Sequence, residues 1–230
     1  MLSQHTADGT LTLTLNRPTR GNALCEELVE ALLEVVEALH AQGQAHTLLL
    51  RAQGPHFCTG LDLGDLERVS DGDLLLRLVR IERLLAAIWH APIRTVAVAQ
   101  GRTWGAGADL FAACDLRVAT PGTRLRLPGA QFGIVLGTRR LAERIGVDRA
   151  RDCVLHAREI DAATATAWGL ATTMQDDGLS ALRVDAHAAA AIRAATRGDH
   201  RDADLAALVR SASEPGLRAR IATYRDRQRP

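Results

Sequence analysis

The 230-residue sequence contains no lysine. All 28 of its basic residues are arginines, which excludes Schiff-base chemistry through a lysine amine. Acidic residues nearly balance the arginines and leave a formal net charge of +1, so the composition does not favour nucleic-acid binding. No apolar run is long enough to cross a bilayer, and the N-terminus lacks the charged and apolar regions of a signal peptide. We therefore expect a cytoplasmic protein with no membrane partner.

Cysteine is also scarce. Four cysteines are spread along the chain without a Cys-x-x-Cys pair: Cys25, Cys58, Cys114 and Cys153. This spacing indicates neither a zinc site nor a disulfide framework, and we interpret the cysteines as small core residues. We expect no metal.

Several catalytic motifs are absent. The sequence has no Gly-x-Ser-x-Gly elbow and no metal-binding histidine pair. Gly105 and Gly107 follow an apolar run, as a dinucleotide fingerprint would, but Leu110 stands where its third glycine should be. A Rossmann domain is therefore excluded. His56 is an isolated loop histidine without a partner motif, and such residues are more often structural than catalytic.

The most informative stretch covers residues 94–115. It begins with the apolar run of residues 96–99, which is typical of a strand buried on both faces. Small residues follow at 105–108, and residues 109–114 are predicted to form a helix. Unpaired N–H groups at such a helix start stabilise negative charge on an oxygen atom. A purely structural interpretation stays open, in which the glycines only let the helix pack close to the strand.

Strands and helices alternate along the rest of the chain. The segment 10–15 alternates polar and apolar residues as a half-buried strand does, and a helix is predicted from Ala23 with Asn22 as its N-cap. A strand over 47–51 and a helix with apolar positions from Leu74 to Ile88 follow. Short strands are predicted at 116–119 and 125–127, and nearly all of the chain from Thr138 onward is predicted to be helical. The fold class is α/β, with one large domain or a domain and a small appendage.

Five sequence pieces together carry a family resemblance. They are the stretches 16–24, 57–62, 105–115, 160–170 and 214–230, which contain Asn-Arg-Pro, Phe-Cys-Thr-Gly-Leu-Asp and Gly-Ala-Gly-Ala-Asp-Leu. In this order they resemble the crotonase superfamily, the enoyl-CoA hydratase/isomerase family, over nearly the whole chain. The resemblance implies a ββα spiral core with an acyl-CoA site in residues 1–170. It also implies a C-terminal helical region, residues 171–230, that assembles a homotrimer or homohexamer. CoA would be part of the substrate, with no separate cofactor.

The resemblance also implies roles for particular residues. The family's two oxyanion N–H groups fall on Thr59 and Ala106, where they would favour a thioester enolate over the neutral carbonyl. The other substrate contacts that it implies are Ala23, Gly60, Leu61 and Asp62, of which Asp62 is expected to brace the loop. CoA phosphates would need arginines here; Arg17, Arg20 and Arg102 lie near the family's landmarks, and Arg20 is preferred among them.

The acid/base positions depart from the family pattern. Hydratases of the family use two glutamates, one to activate water and one to protonate carbon. The first position is Asp109, whose side chain is one methylene shorter, and the second is Gly129, which has no carboxylate. Gln131 and Glu143 lie nearby in sequence as weak substitutes. Asp109 is either the single catalytic acid/base or a structural partner of a helix start.

We therefore expect a lyase or isomerase of fatty acid metabolism that acts on acyl-CoA thioesters with a single carboxylate, and that is unsuited to simple hydration. The alternative is an accessory subunit that binds acyl-CoA but has lost efficient chemistry.

Overall fold

The structure is a computed structural model that describes residues 1–42, 45–178 and 180–228. Within these ranges the chain forms eight strands: β1 (Leu2–Ala7), β2 (Thr10–Leu15), β3 (Thr47–Ala52), β4 (Arg94–Ala99), β5 (Arg102–Trp104), β6 (Leu116–Ala119), β7 (Arg124–Arg126) and β8 (Glu159–Asp161). The same ranges contain nine α-helices: α1 (Glu26–Gln42), α2 (Asp71–Trp89), α3 (Ala106–Ala113), α4 (Thr138–Ile145), α5 (Val147–His156), α6 (Ala162–Trp168), α7 (Ala186–Ala195), α8 (Arg201–Ala212) and α9 (Leu217–Arg227). This mixed α/β architecture confirms the predicted fold class.

The strands form two sheets. Five strands are ordered β1-β2-β3-β4-β6, with β1 antiparallel to β2 and the other neighbours parallel. Three short strands form the second sheet in the order β5-β7-β8, in which β5 and β7 are parallel and β8 is antiparallel. Because β4 and β5 are consecutive but belong to different sheets, the chain turns from one sheet to the other at Gln100 and Gly101 and continues directly into α3.

Three strands were not predicted from apolar patterning. One is β5, in which only Thr103 is buried; the other two are β1 and β8. β1 is polar and almost wholly exposed, since it covers one edge of the larger sheet and its strand register comes only from pairing with β2. β8 has three residues, of which only Ile160 is buried. The expectation that the chain after Thr138 contains no further strand is therefore wrong. In β1 and β8, cross-strand pairing supplies what local sequence does not.

Three helices begin at residues other than those predicted. α1 begins at Glu26, and Asn22 is not its N-cap: Asn22 has a left-handed φ of 53° and a fully buried side chain. α2 begins at Asp71, where Ser70 and Asp73 form a reciprocal capping box. α3 begins at Ala106, so the small residues themselves form its first turn.

The apolar side chains form two clusters. The larger lies between the sheets and helices α1, α2 and α3. The smaller joins Leu74 and Leu78 of α2 to Leu208 of α8 and to Leu217 and Ile221 of α9. The C-terminal helices are therefore packed on the core, and the boundary predicted at residue 170 stays a prediction. Cys58, Cys114 and Cys153 are buried, free thiols, and Cys25 is half-buried. No helix in the described ranges has the length and apolar character needed to span a membrane.

Candidate active site

The loop 57–62 and the start of α3 lie side by side. The Trp104 N–H donates to the Cys58 carbonyl at 2.9 Å, as part of a parallel bridge between Cys58 and Thr103. A methyl group placed on Gly60 would lie 3.4 Å from the Ala106 nitrogen and 2.9 Å from the Trp104 carbonyl oxygen. The chain therefore needs glycine at position 60, which also has a left-handed φ of 94°.

The expected role of Thr59 does not agree with this geometry. Its N–H donates to the Gly21 carbonyl at 3.0 Å and is therefore not available to a substrate oxygen. The neighbouring backbone shows which N–H is available. Leu24 N–H donates to Gly60 O at 2.8 Å, and Asp62 N–H donates to Leu24 O at 3.1 Å. In a trans peptide the N–H points opposite to the C=O, so the Leu61 N–H points away from Leu24. Among the described residues it has no backbone partner.

The backbone N–H of Ala106 has no hydrogen-bond partner among the described residues. Ala106 is the first residue of α3, a position whose N–H has no partner within a helix. The N–H groups of Ala108 and Asp109 both donate to the Gly105 carbonyl, whereas no acceptor in the described ranges pairs with that of Ala106. Leu61 and Ala106 line the same pocket. Two unpaired N–H groups therefore border one space, one of them at the positive end of a helix.

The pocket is apolar. It occupies about 780 Å³ including its open mouth. Most of its wall consists of aliphatic and aromatic side chains from the loop before α2, from α2, from the segment between β7 and α4, and from α9: Leu61, Leu63, Leu78, Leu127, Phe132, Ile134, Leu136 and Ile221. Among the described residues that line it, Asp109 is the only carboxylate, and there is no arginine or histidine. A ligand in this pocket would meet one strong acid/base group.

Asp109 is held in a confined position. The residue is 4% exposed, and its Oδ1 atom has no hydrogen-bond partner in the described part of the chain. A methyl group on Gly137 would lie 2.0 Å from this oxygen, so the carboxyl is packed directly against the residue that precedes α4. Burial raises the pKa of Asp109 well above its ordinary value; Arg140 opposes this effect and Glu82 adds to it.

Arg140 and Glu82 form an ion pair behind Asp109. Arg140 is 1% exposed, and its Nη1 atom donates to Glu82 Oε2 at 3.0 Å, while Nη2 donates to Glu82 Oε1. The Nη2 atom also lies 3.3 Å from Asp204 Oδ2. The pair links α2 and α4, and Asp204 adds α8 to it. Sequence analysis missed these residues because ordinary helix patterns place charged residues on the solvent side.

The Asn22 side chain joins the loops around the site by hydrogen bonds. Its Nδ2 atom donates to the carbonyls of Gln53 and His56 at 2.9 and 2.8 Å, and its Oδ1 accepts from the Arg17 N–H at 2.8 Å. Asp62 accepts from Arg17 Nη2 at 2.8 Å and from the Gly64 N–H at 2.9 Å, as expected of a bracing residue. The Leu61 backbone is therefore held from both sides.

The remaining predicted contacts lie outside the pocket wall. Ala23 is 7% exposed, and its carbonyl accepts from Arg17 Nη1 at 2.5 Å. Arg20 has a half-exposed side chain 3.5 Å from Asp62 Oδ1. Arg20 is thus near the loop 57–62 and open to solvent.

Neither proposed substitute for the missing carboxylate reaches the pocket. Gly129 does line it. Gln131 is exposed, and Glu143 pairs with Arg139 on the outer face of α4. The group nearest in role is Tyr224 of α9, the single tyrosine of the chain, which lines the pocket with its ring 5.0 Å from that of Phe132. Burial raises the pKa of Tyr224. No signal in the sequence pointed to it, because α9 reaches the pocket only through tertiary packing.

Comparison with known proteins shows the family of the chain. A family model described as enoyl-CoA hydratase/isomerase matches residues 5–206. The chain belongs to the enoyl-CoA hydratase/isomerase family. The matched range contains four of the five sequence pieces, and the fifth, residues 214–230, lies beyond it.

Relatives from the family differ in length from this chain. The enoyl-CoA hydratase ACTT6 of Alternaria alternata is 33% identical over 181 residues, which are 77% of this chain and 60% of that protein. The mitochondrial methylglutaconyl-CoA hydratase of Homo sapiens is 31% identical over 166 residues, 70% of this chain and 49% of that protein. The chain thus spans about half to three fifths of the length of these relatives. A crystal structure from Bordetella parapertussis, assigned to the enoyl-CoA hydratase/isomerase class, matches with 41% identity and a TM-score of 0.91, covering 100% of this chain and 99% of that one.

Proposed function

We propose that this protein is an acyl-CoA enzyme that forms a thioester enolate and moves a single proton with Asp109. The reaction that the site supports best is a shift of a double bond along the acyl chain. One observation carries this proposal: in the part of the wall that the structure describes, Asp109 is the only strong acid/base group in an otherwise apolar pocket bordered by two unpaired N–H groups.

The proposed chemistry has two steps. The Asp109 carboxylate takes a proton from the α carbon; the C–H bond breaks, and its electron pair moves so that negative charge rests on the thioester oxygen. The N–H groups of Leu61 and Ala106 donate to this oxygen, and one such donor typically lowers the barrier by about 2.7–4 kcal/mol. The same carboxyl then returns the proton to the γ carbon, and the double bond ends conjugated to the thioester. A single group therefore completes the cycle.

Hydration places a different demand on the site. It needs one group to take a proton from water and another to deliver a proton to carbon. Gly129 supplies neither, and the apolar wall offers a water molecule few partners. The double-bond shift needs no water, which is why we prefer it among the reactions of the family.

The first experiment is exchange of α protons. Butyryl-CoA is incubated with the protein in D₂O, and loss of the α-proton signal is followed by NMR. Exchange requires only enolate formation, so it tests the oxyanion site and Asp109 without knowledge of the natural acyl group. The expected result is exchange by the native protein and its loss in Asp109→Asn. Tight binding of butyryl-CoA without exchange would refute the proposal and favour an accessory acyl-CoA-binding subunit.

A second experiment separates the reactions. Vinylacetyl-CoA should be converted to crotonyl-CoA, seen as a rise in the absorbance of the conjugated thioester, while crotonyl-CoA itself is not hydrated. Hydration at a comparable rate would show that one carboxylate suffices for both proton transfers, contrary to the argument from Gly129.

Two further parts of the proposal concern binding and assembly. Arg20 would contact the CoA phosphates, so Arg20→Gln should weaken acyl-CoA binding in a calorimetric titration. The part of the binding free energy that does not depend on salt concentration should stay unchanged. The homotrimer or homohexamer implied by the family resemblance would have three or six times the chain mass of 24.7 kDa in light scattering. A monomer would contradict it.

A further inference from the structure

Several buried polar atoms lack hydrogen-bond partners in the described part of the chain, and two of them near the site are complementary. Asp109 Oδ1 is an acceptor and Arg140 Nε is a donor, and neither has a partner among the described residues. Both residues are more than nine-tenths buried. A buried polar atom without a partner costs stability, because it has given up its hydrogen bonds to water. An unpaired acceptor and an unpaired donor beside the acid/base group therefore call for a functional explanation.

The placement of the two residues brings them together. The Asp109 carboxyl is packed against Gly137, and Arg140 follows three residues later in the first turn of α4. Gly137 is the N-cap of α4 and Arg140 lies in the first turn, so both belong to the end of α4 that contacts the Asp109 carboxyl. Its other two nitrogens are occupied by Glu82, which leaves the Nε edge as the part without a partner.

The charged groups around Asp109 come from two helices. Arg140 on α4 and Glu82 on α2 act on its carboxyl, whereas the strands β4 and β5, which also pack against α3, contribute none. Beyond this pair, Asp204 of α8 lies 3.3 Å from Arg140 Nη2 and accepts from Arg139 Nη2 at 2.7 Å.

We infer that Arg140, held in place by Glu82, is the buried counter-ion of Asp109 and supports the carboxylate whenever its proton is on the substrate. This inference rests on the proposed function for its purpose, but it concerns the free protein. Arg140 is a positioning residue: it touches neither the substrate nor the reacting atoms, and it does not line the pocket. Glu82 keeps most of the charge of Arg140 neutralised, so that the proton of Asp109 is neither lost permanently nor held too tightly.

Removing the charges of Glu82 and Arg140 should change the ionisation of Asp109 in a defined direction. Glu82→Gln removes an anion and leaves the charge of Arg140 less compensated, so ionisation of Asp109 becomes easier. The double variant Glu82→Gln/Arg140→Gln removes both charges, of which the arginine has the larger effect on Asp109, so ionisation becomes harder. The two variants should therefore shift the titration of Asp109 in opposite directions. A merely structural ion pair predicts no such reversal.

The experiment is a carboxyl titration by NMR. Full-length protein is labelled with carbon-13 at aspartate side-chain carboxyls, and the Asp109 signal is identified by its absence in Asp109→Asn. The titration midpoint of Asp109 should move to lower pH in Glu82→Gln and to higher pH in the double variant. Midpoints that stay in place, or that move in the same direction, would overturn the inference.

Matched controls keep the test decisive. Glu37→Gln removes a carboxylate of similar charge whose partner Arg83 is 3.6 Å away, both side chains being more than half exposed, and it should leave the midpoint unchanged. Breaking a buried ion pair is strongly destabilising, so folding is checked by circular dichroism. Should Glu82→Gln not fold, Asp204→Asn, whose carboxylate is partly exposed, should move the midpoint to lower pH as well; an unchanged or raised midpoint would overturn the inference.

The result is distinguishable from failure of the proposed function. The titration uses no substrate, so an Asp109 signal that responds to Glu82 stands even if no acyl-CoA turns over. Conversely, α-proton exchange with an unresponsive Asp109 titration would refute only the role of Arg140.

Discussion

A substitution at Gly137 tests whether catalysis depends on the position of the Asp109 carboxyl. In Gly137→Ala the new methyl group would lie 2.0 Å from Asp109 Oδ1, whereas real methyl contacts of this kind essentially never fall below 3.0 Å. The carboxyl must therefore move by about 1 Å. A displacement of about 1 Å in a catalytic group costs on the order of 10²-fold in rate. We expect α-proton exchange to fall by about that factor while acyl-CoA binding, which depends on other walls, changes little.

The control for this variant is Gly216→Ala. Both glycines are left-handed residues directly before a helix, with φ of 66° at Gly137 and 76° at Gly216, so alanine is strained at each. A methyl group on Gly216, however, meets nothing within 4 Å. Both variants should lose similar stability in urea unfolding, and only Gly137→Ala should lose exchange. Equal exchange rates in the two folded variants would refute the placement of Asp109 as the proton carrier.

Three more predictions follow from named contacts. Asp109→Asn should reduce α-proton exchange by about 10²–10⁴-fold, and it should raise the melting temperature at neutral pH. Burial raises the pKa of Asp109 in the folded state above its value in the unfolded chain, so the native protein loses stability as the pH rises above the unfolded-state pKa. The gain in melting temperature from Asp109→Asn should therefore vanish in acid, which calorimetry at two pH values would show. Gly129→Glu should create measurable hydration of crotonyl-CoA, since the new Cβ would meet only Ile134, at 3.3 Å from its O atom and 3.8 Å from its Cβ. Absence of hydration in a folded variant would mean that the apolar wall, not the missing carboxylate, blocks it. Asn22→Ala should lower the free energy of unfolding by about 2–4 kcal/mol, measured with urea, because the fully buried amide makes three hydrogen bonds that alanine cannot replace. A loss below about 0.5 kcal/mol, the usual effect of a surface substitution, would contradict this account.

The pH dependence of exchange has a defined sign. Asp109 must be ionised to take the α proton, and its pKa is raised well above the ordinary value by burial. Activity should therefore rise with pH and fall away on the acid side at a higher pH than an exposed aspartate would give. A rate that is flat through this region would show that another group takes the proton.

Local sequence was sufficient where a single element carries its own signal. The alternation of Thr10–Leu15 predicted β2, since one face is buried and one is not. The small residues before Asp109 predicted a bare helix start, and Ala106 has the unpaired N–H that this implies. The absence of a carboxylate at position 129 and the presence of one at 109 were also readable directly, because they depend on residue type alone.

Tertiary structure decided everything that depends on which groups face each other. Thr59 and Leu61 both have a backbone N–H, and only pairing with Gly21 and Leu24 shows that the former is occupied and the latter faces the pocket. Likewise Glu82 and Arg140 are distant in sequence and look like surface charges on amphipathic helices. Burial against Asp109 turns them into its electrostatic environment, because in a low-dielectric interior the position of a charge matters as much as its presence. The sequence by itself thus determined the fold and the residue types of the site, and the packing of α2, α4 and α9 around α3 determined their availability, their confinement and their charge.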